Sequence, residues 1–191
     1  MTMTTQSIAI NTTALKSIRM GCADKDTRYM LKGVMFLCDG ETLRLTASNG
    51  HILLTHTKTL NEPCEPFKII IPSESIDIAL KVAGKAVELC LDILDGARYA
   101  LAGIPVVPLQ DAFPDASKVW PKWDEMDGKP CRINPEYFSV VGKISKLMGL
   151  SVYGAELWHD SGKLVFQSGE VRGLIAGLKK DKNESTSFPS F

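Results

Sequence analysis

A repeat with a period of about 60 residues limits most strongly how this chain can fold. Three short apolar segments, each followed by the start of a helical pattern, recur at residues 8–11, 69–72 and 131–134. Their last residues, at positions 11, 72 and 134, are 61 and 62 residues apart. Self-similarity at a fixed period indicates copies of one supersecondary unit, so the 191 residues are expected to contain three such units.

Each copy carries the pattern of one helix followed by three strands. Apolar residues recur at helical spacing in 12–23, 73–83 and 135–147, and Asn11 and Asn134 are favoured N-cap residues. Asp-Gly or Asp-Ser-Gly turns at 39–40, 95–96 and 160–162 separate alternating segments, as in hairpins. The predicted strands are 29–37, 43–47, 51–57, 87–93, 97–102, 104–107, 152–158, 163–167 and 171–178. Each copy is therefore predicted to be a βαβββ unit of an α+β protein.

Three units predict one complete domain and a half domain. A single βαβββ unit leaves strand edges open and covers only one face of its sheet, which favours pairing with another unit. Residues 1–61 and 66–121 are expected to form the two halves of one pseudo-twofold domain, including a connector at 113–121. Residues 130–178 then form a third half domain that another chain completes, and residues 179–191 form a mobile tail.

Composition excludes several classes of protein. Lys plus Arg equals Asp plus Glu at 22 each, so any affinity for nucleic acid depends on where the charges lie. The five cysteines are widely spaced without a C-x-x-C pair, which argues against a disulfide framework or a zinc site, and no metal or cofactor is expected. Neither a targeting segment nor a run of about 20 apolar residues is evident, so a cytoplasmic location is expected.

Three ordered motifs carry a family resemblance. They are Asp26-Thr-Arg-Tyr-Met-Leu-Lys-Gly33, Leu43-Arg-Leu-Thr-Ala-Ser-Asn-Gly-His51 and Phe113-Pro-Asp-Ala-Ser-Lys-Val119. Over about residues 7–178 the chain resembles a shortened β sliding clamp, the DNA polymerase III beta subunit of bacteria, of the kind a phage or plasmid could encode. The resemblance implies the DNA clamp fold and a ring-shaped processivity factor that encircles double-stranded DNA. It also implies peptide-mediated binding of the replicative DNA polymerase and the clamp loader.

The resemblance further implies where partner peptides bind. The family's pocket accepts an extended motif with a Gln and an apolar pair such as Leu-Phe, which requires aliphatic walls with few polar groups. The matching positions are Leu31, Gly50, His51, Leu53, Pro114, Lys118, Val119, Leu174 and Ala176. Leu31, Leu53 and Val119 would otherwise be ordinary core residues, and His51 would stabilise a turn. Ile52, where the family usually has an arginine, and the small pair Ala116-Ser117 imply a different peptide preference.

Basic residues recur in pairs on the three predicted helices. The pairs are Lys16 and Arg19, Lys81 and Lys85, and Lys143 and Lys146. Each pair is spaced i,i+3 or i,i+4 and therefore shares one helix face. Solvated surface residues would be the simplest explanation, but recurrence in all three units favours a common role. If the helices line a hole, these residues would face the phosphates of duplex DNA and attract it without reading its sequence.

An enzyme is the least supported function. The sequence contains no Walker A loop, nucleophile elbow or H-E-x-x-H motif, and His51, His56 and His159 are dispersed, which favours structural roles. Two readings remain: a working clamp, or a clamp-mimicking interaction protein that inhibits or modifies a host clamp. The family's rings contain twelve βαβββ halves, so three halves per chain predict a homotetramer, whereas a dimer would fit the inhibitor.

Overall fold

The computed structural model of the chain describes residues 5–94, 98–120, 133–150, 154–160 and 162–178. These residues form two antiparallel sheets and three α-helices. Unit one contains β1 (Thr5–Asn11), α1 (Thr12–Arg19), β2 (Gly33–Cys38), β3 (Thr42–Ser48) and β4 (Ile52–Thr59). Unit two contains β5 (Phe67–Pro72), α2 (Ser73–Ala83), β6 (Glu88–Leu94), β7 (Arg98–Leu101) and β8 (Ile104–Val106). Unit three contains α3 (Pro135–Leu147), β9 (Ala155–Asp160), β10 (Lys163–Ser168) and β11 (Val171–Ala176).

The first two units exchange their opening strands. β1 of unit one pairs with β6 of unit two, and β5 of unit two pairs with β2 of unit one. The smaller sheet has the order β1-β6-β7-β8, and the larger has the order β5-β2-β3-β4-β11-β10-β9. Unit three therefore extends the sheet of unit one through the antiparallel β4–β11 pair.

The helices begin where the sequence predicts. The side chain of Asn11 accepts a hydrogen bond from the Ala14 amide at 3.0 Å, and that of Asn134 accepts one from the Glu136 amide at 2.9 Å. These bonds satisfy amides that have no partner inside the helix. α2 and α3 also end at the predicted residues.

α1 ends earlier than its apolar pattern suggests, at Arg19 instead of near Ala23. The amides of Met20, Gly21 and Cys22 each donate to the carbonyl three residues earlier, so the chain tightens into 3-10 turns. A Cβ atom on Gly21 would lie 3.1 Å from the Ala47 carbonyl oxygen. Because this segment runs so close to β3, the tighter turn replaces the last turn of α-helix.

The strand predicted at 29–37 is correct only from Gly33 onward. Tyr29–Lys32 forms a short 3-10 helix, in which the Leu31 amide donates to the Arg28 carbonyl. The Leu31 carbonyl accepts a second hydrogen bond from the Ala23 amide, which lies outside this helix. These two bonds use the backbone groups that a strand would offer to a neighbouring strand. As a result Leu31 packs with Met35, Ile70 and Phe113 in a cluster separate from the main core.

Several predicted features fall outside the described residues. They include residues 131–132 of the third opening strand, residues 152–153 of the strand before β10, the turn at 95–96, and the tail at 179–191. Ile133 and Asn134 are described, and neither is in a strand.

The three helices pack on the inner faces of the two sheets. Leu15 and Ile18 of α1, Ile76 of α2 and Ile144 of α3 belong to one continuous core. α1 contacts both α2 and α3. The helix faces opposite this core therefore lie next to one another on the surface of the protein.

Candidate functional site

A cavity of about 270 Å³ lies where unit one meets unit three. The β4–β11 pair places Leu53 opposite Leu174 at its base, while the 3-10 helix supplies Leu31 and the segment after β8 supplies Val119. The residues predicted for the pocket that line this cavity are Leu31, Gly50, His51, Leu53, Pro114, Val119, Leu174 and Ala176. Lys118, the ninth, is not among the lining residues. Residues from distant parts of the sequence thus meet in one place.

The cavity has predominantly apolar walls. Leu53, Val165 and Leu174 form a buried cluster, against which Ala116 and Trp120 pack from the segment after β8. Val119 is 42% exposed at the opening, although it is an apolar residue. An apolar side chain that entered the cavity would remove this surface from water, which is favourable in proportion to the area buried.

The turn between β3 and β4 is held by its own side chains. The Asn49 Oδ1 atom accepts hydrogen bonds from the amides of His51 and Ile52, both at 3.0 Å, and Ser48 Oγ donates to the Ile52 carbonyl at 2.8 Å. Gly50 has a φ of 87°, and a Cβ atom there would lie 2.8 Å from the Arg28 guanidinium. Only glycine fits this position without strain.

His51 connects this turn to unit three. Its ring stacks on that of Tyr137 in α3, with centroids 5.6 Å apart and planes 20° apart. Its carbonyl accepts a hydrogen bond of 2.7 Å from the Ala176 amide. His51 therefore lines the cavity and joins the turn to β11 and α3, and its role in peptide binding stays a prediction.

Charged residues surround the opening. Arg28 is paired with Asp26 at 2.7 Å, and hydrogen bonds from Arg28 hold the pKa of the Asp26 carboxyl well below its usual range. Lys163 Nζ donates to the Val119 carbonyl at 3.1 Å. Hydrogen bonds from Ser117 lower the pKa of Asp115, which also lines the cavity. Among these residues, Arg28, Lys163 and Asp115 line the cavity itself, so its lining contains two cations and one carboxylate.

Sequence reasoning missed several of these residues. Arg28, Phe113 and Asp115 lie inside the quoted motifs, so the motifs themselves carried a signal for them. Ile52 also lines the cavity, although its sequence context indicates only a departure from the family pattern. Lys163 had no such signal, because it reaches the cavity only through the pairing of β11 with β4.

A larger depression of about 660 Å³ lies on the outer face of the seven-stranded sheet. Its walls include Arg44, Thr55, Thr57 and Arg172, and it shares Ala116 with the cavity described above. These walls expose polar and apolar surface in comparable amounts, whereas the walls of the smaller cavity are predominantly apolar. The smaller cavity is the better candidate, since specific sites combine apolar walls with a few placed polar groups.

The predicted basic residues fall into two groups. Lys16, Lys81, Lys85, Lys143 and Lys146 are all exposed, although Lys85 lies just beyond the end of α2. Arg19 is different, because its guanidinium makes two hydrogen bonds to Asp77 of α2, at 2.9 and 3.1 Å. A carboxylate oxygen of Asp24 lies 3.6 Å from the same guanidinium nitrogen that is 2.9 Å from Asp77. Arg19 therefore joins α1 to α2 across their contact.

The surroundings of Arg19 keep it charged. Burial of the guanidinium opposes its charge, but the hydrogen bonds and negative charge of Asp77 outweigh this effect and raise the pKa of Arg19. The neighbouring Cys22 thiol is also buried, and burial raises its pKa to about 12. The thiol consequently stays protonated near neutral pH.

Histidine and cysteine side chains do not converge on a metal-binding arrangement in the described parts of the chain. His56 is buried, with its Nε2 atom 3.0 Å from a carboxylate oxygen of Glu170. Cys22, Cys38, Cys64 and Cys90 are free thiols. Among the described helices, none is long and apolar enough to span a membrane.

Comparison with known proteins assigns the chain to a family. Residues 8–104, just over half of the 191, match the model of the central domain of the DNA polymerase III beta subunit. The chain belongs to the DNA polymerase III beta subunit family. Over 62 residues it is 29% identical to the beta sliding clamp of Haemophilus influenzae, an alignment that spans 32% of this chain and 17% of that clamp.

Solved structures of beta subunits share the fold. The chain superposes on the DNA polymerase III subunit beta of Pseudomonas aeruginosa with a TM-score of 0.65 and 16% identity, covering 91% of this chain and 66% of that one. It superposes on the Helicobacter pylori beta clamp bound to a DNA ligase peptide with a TM-score of 0.69 and 12% identity, covering 94% and 66%. The predicted clamp fold is confirmed. The chain spans slightly less than two thirds of these beta subunits.

Proposed function

We propose that the protein is a DNA sliding clamp, a ring that encircles duplex DNA and tethers replication partners through the cavity between units one and three. The observation that carries the proposal is this cavity, where eight of the nine predicted residues meet. They come from the 3-10 helix, the β3–β4 turn, strand β4, the segment after β8 and strand β11. Such a tether acts by holding its partners and requires no catalytic group of its own. The proposed role places it in the cytoplasm.

The cavity suits a short extended peptide that ends in apolar residues. Leu53, Leu174 and Val119 offer an apolar surface, while Arg28, Lys163 and Asp115 stand at the rim for polar or charged groups of the peptide. An extended segment can bury alternate side chains and keep its backbone at the rim. The beta clamp of Helicobacter pylori was solved with a DNA ligase peptide bound, which supports peptide binding by this chain.

The helix face suits the duplex. Lys16, Lys81, Lys143 and Lys146 project from neighbouring helices on the side opposite the core, and Lys85 follows directly after α2. Exposed lysines without fixed partners can follow the phosphate backbone as DNA moves, which gives attraction without sequence preference. Arg19, predicted to face DNA, is instead assigned to the α1–α2 contact because Asp77 occupies its guanidinium.

A ring of four copies fits the order of contacts along the chain. Unit two contacts unit one through exchanged strands, and unit one contacts unit three through pairing of the edge strands β4 and β11. From one unit to the next, contacts by strand exchange therefore alternate with contacts by edge-strand pairing. β8, the counterpart of β4 and β11, is an edge strand of its sheet within the described residues. Pairing of β8 with β8 of another copy would continue the alternation, and twelve units in four chains would close the ring.

Peptide binding tests the proposal directly. A fluorescent peptide with a Gln-x-x-Leu-Phe pattern is titrated with the full chain, alongside a control peptide in which the Leu-Phe pair is replaced by Ala-Ala. The proposal expects saturable binding of the first peptide and a loss of about 100-fold or more for the second, because each buried apolar side chain contributes about 1.5–3 kcal/mol. Equal binding of both peptides would contradict a role for the cavity.

Retention on DNA tests the ring. Once loaded onto nicked circular DNA by a clamp loader, a ring stays bound at a salt concentration that removes it from the linearised form, since only the linear form has ends to slide from. Loss from both forms at the same rate would reject encirclement. A protein that binds the peptide but not circular DNA would instead be a clamp mimic that competes for partners.

A further inference from the structure

The core of unit three is open at a position that is closed in the other two units. Leu15, Ile76 and Phe138 are equivalent, since each lies four residues after the residue that precedes its helix. Leu15 and Ile76 are 0% exposed, whereas Phe138 is 46% exposed. The equivalent helix position is therefore occupied by a core residue in units one and two and by a half-exposed aromatic residue in unit three.

The first strand after each helix shows the same difference. Phe36, Leu91 and Leu157 are equivalent, because they pair with Leu45, Leu101 and Phe166 of the following strand. Phe36 and Leu91 are 0% exposed, whereas Leu157 is 43% exposed. Since Leu157 is directly opposite the fully buried Phe166, it faces the helix side of the sheet, as Phe138 does from α3.

The exchange of strands explains why the first two units are closed. β5 covers the outer edge of β2 and β1 covers the outer edge of β6, so each unit completes the sheet of the other. β9 is the counterpart of β2 and β6, but it is the last strand of its sheet within the described residues. Within the described residues, unit three thus combines an unpaired edge of β9 with two large, partly exposed apolar side chains on the contacting elements α3 and β9.

We infer that this surface, the α3–β9 face with Phe138 and Leu157, binds the same face of a second copy of the chain about a twofold axis. The contact between units one and two serves as the template, because the two units exchange strands reciprocally and the equivalent residues of both are buried there. In a second copy, units one and two already cover each other, so the matching face that remains is again that of unit three. An identical face on both partners closes as an isologous contact.

The inference concerns self-association and does not depend on binding of peptide or DNA. The mass of the full chain is measured by sedimentation equilibrium over a range of micromolar concentrations, for wild type and for Phe138→Glu and Leu157→Glu. Val87→Glu is the matched control, because Val87 is an apolar residue that is 74% exposed outside this face. Both test positions are already partly exposed, so each variant is expected to fold.

The expected result is that wild type contains at least two chains and that each test variant raises the dissociation constant about 10- to 100-fold, with the control unchanged. A monomeric wild type, or test variants that associate like wild type, would overturn the inference. Hydrogen exchange provides a test without substitution: protection of α3 and β9 amides should rise with concentration of wild-type protein. Constant protection across that range would overturn the inference as well, while peptide titration of the same samples reports on the cavity separately.

Discussion

In the cavity between units one and three, side chains are fixed by specific bonds, whereas on the helix face they are free. Ser48 and Asn49 accept hydrogen bonds from the amides of Gly50 and His51, the His51 ring stacks on Tyr137, and the Val119 carbonyl accepts a hydrogen bond from Lys163. By contrast, Lys16, Lys81 and Lys146 make no ion pair with any described residue. Binding in a fixed site depends on each of its residues, while attraction to a charged face depends on the total charge of its residues. Substitutions should therefore act abruptly in the first region and gradually in the second.

The largest effect is expected from a charge placed in the cavity. Val119→Asp and Leu31→Asp each replace an apolar lining residue by a carboxylate that a bound peptide would bury without a partner, which costs several kcal/mol. Peptide affinity should fall by about 100-fold or more, as measured by fluorescence polarisation. Val87→Asp is the control, and circular dichroism verifies the fold of Leu31→Asp, because Leu31 is buried. Unchanged affinity in Val119→Asp would remove the cavity from the proposed function.

A smaller and graded effect is expected on the helix face. Reversal of Lys81 and Lys146 to Glu is compared with reversal of Lys68 and Lys118, which are exposed elsewhere and change the net charge equally. Binding to linear duplex DNA is measured against salt concentration. The plot of log K against log salt has a negative slope, and its magnitude should decrease by about 0.9 for each lysine that contacts phosphate. This decrease is expected for the variant with Lys81 and Lys146 reversed and not for the variant with Lys68 and Lys118 reversed. Equal slopes in the two variants would mean that net charge, not position, drives binding.

Arg19 tests the distinction between fixed and free side chains within the helix face. It lies on the helix face by sequence but is bound to Asp77, so Arg19→Met should reduce the free energy of unfolding by about 1–2 kcal/mol through loss of two charge-assisted hydrogen bonds. The salt slope of DNA binding should stay the same. Lys16→Met on the same helix is the control, with little effect on stability, since Lys16 is exposed. A reduced slope in Arg19→Met would return Arg19 to the DNA-facing set.

Local features of the fold could be predicted because they depend on neighbouring residues. Asn11 and Asn134 mark helix starts by capping them, and the 61- and 62-residue spacing identifies equivalent units. The strand predicted at 29–37 is partly wrong, because Tyr29–Lys32 forms a 3-10 helix, in which the Leu31 amide donates to the Arg28 carbonyl, and no periodicity indicates this helix. The early end of α1 was missed for a similar reason, the close approach of Gly21 to β3.

Residues of the candidate site could be predicted from the sequence where they lie in family motifs. They could not be predicted where strand pairing brings them to the cavity. Leu31, Gly50, His51 and Pro114 lie in or beside recognisable motifs, so their convergence could be anticipated. Lys163 reaches the cavity only because β11 pairs with β4 and β10 follows β11 in the sheet. Arg19 shows the opposite limit, since its helical spacing matches the basic pattern while Asp77, 58 residues away in sequence, determines its contacts.

The smallest effects on peptide affinity are expected for substitutions of two lysines near the cavity, Lys163 and Lys118. The test is which of the two substitutions weakens binding more. Lys163 Nζ donates to the Val119 carbonyl at 3.1 Å and lines the cavity, so Lys163→Ala should weaken peptide binding about 2- to 10-fold through loss of one hydrogen bond. Lys118 is 80% exposed and pairs with Asp115 at 3.7 Å, a geometry that contributes little in water. Lys118→Ala should therefore change affinity by less than about twofold. A larger loss in Lys118→Ala than in Lys163→Ala would show that a bound peptide extends beyond the described cavity toward Lys118.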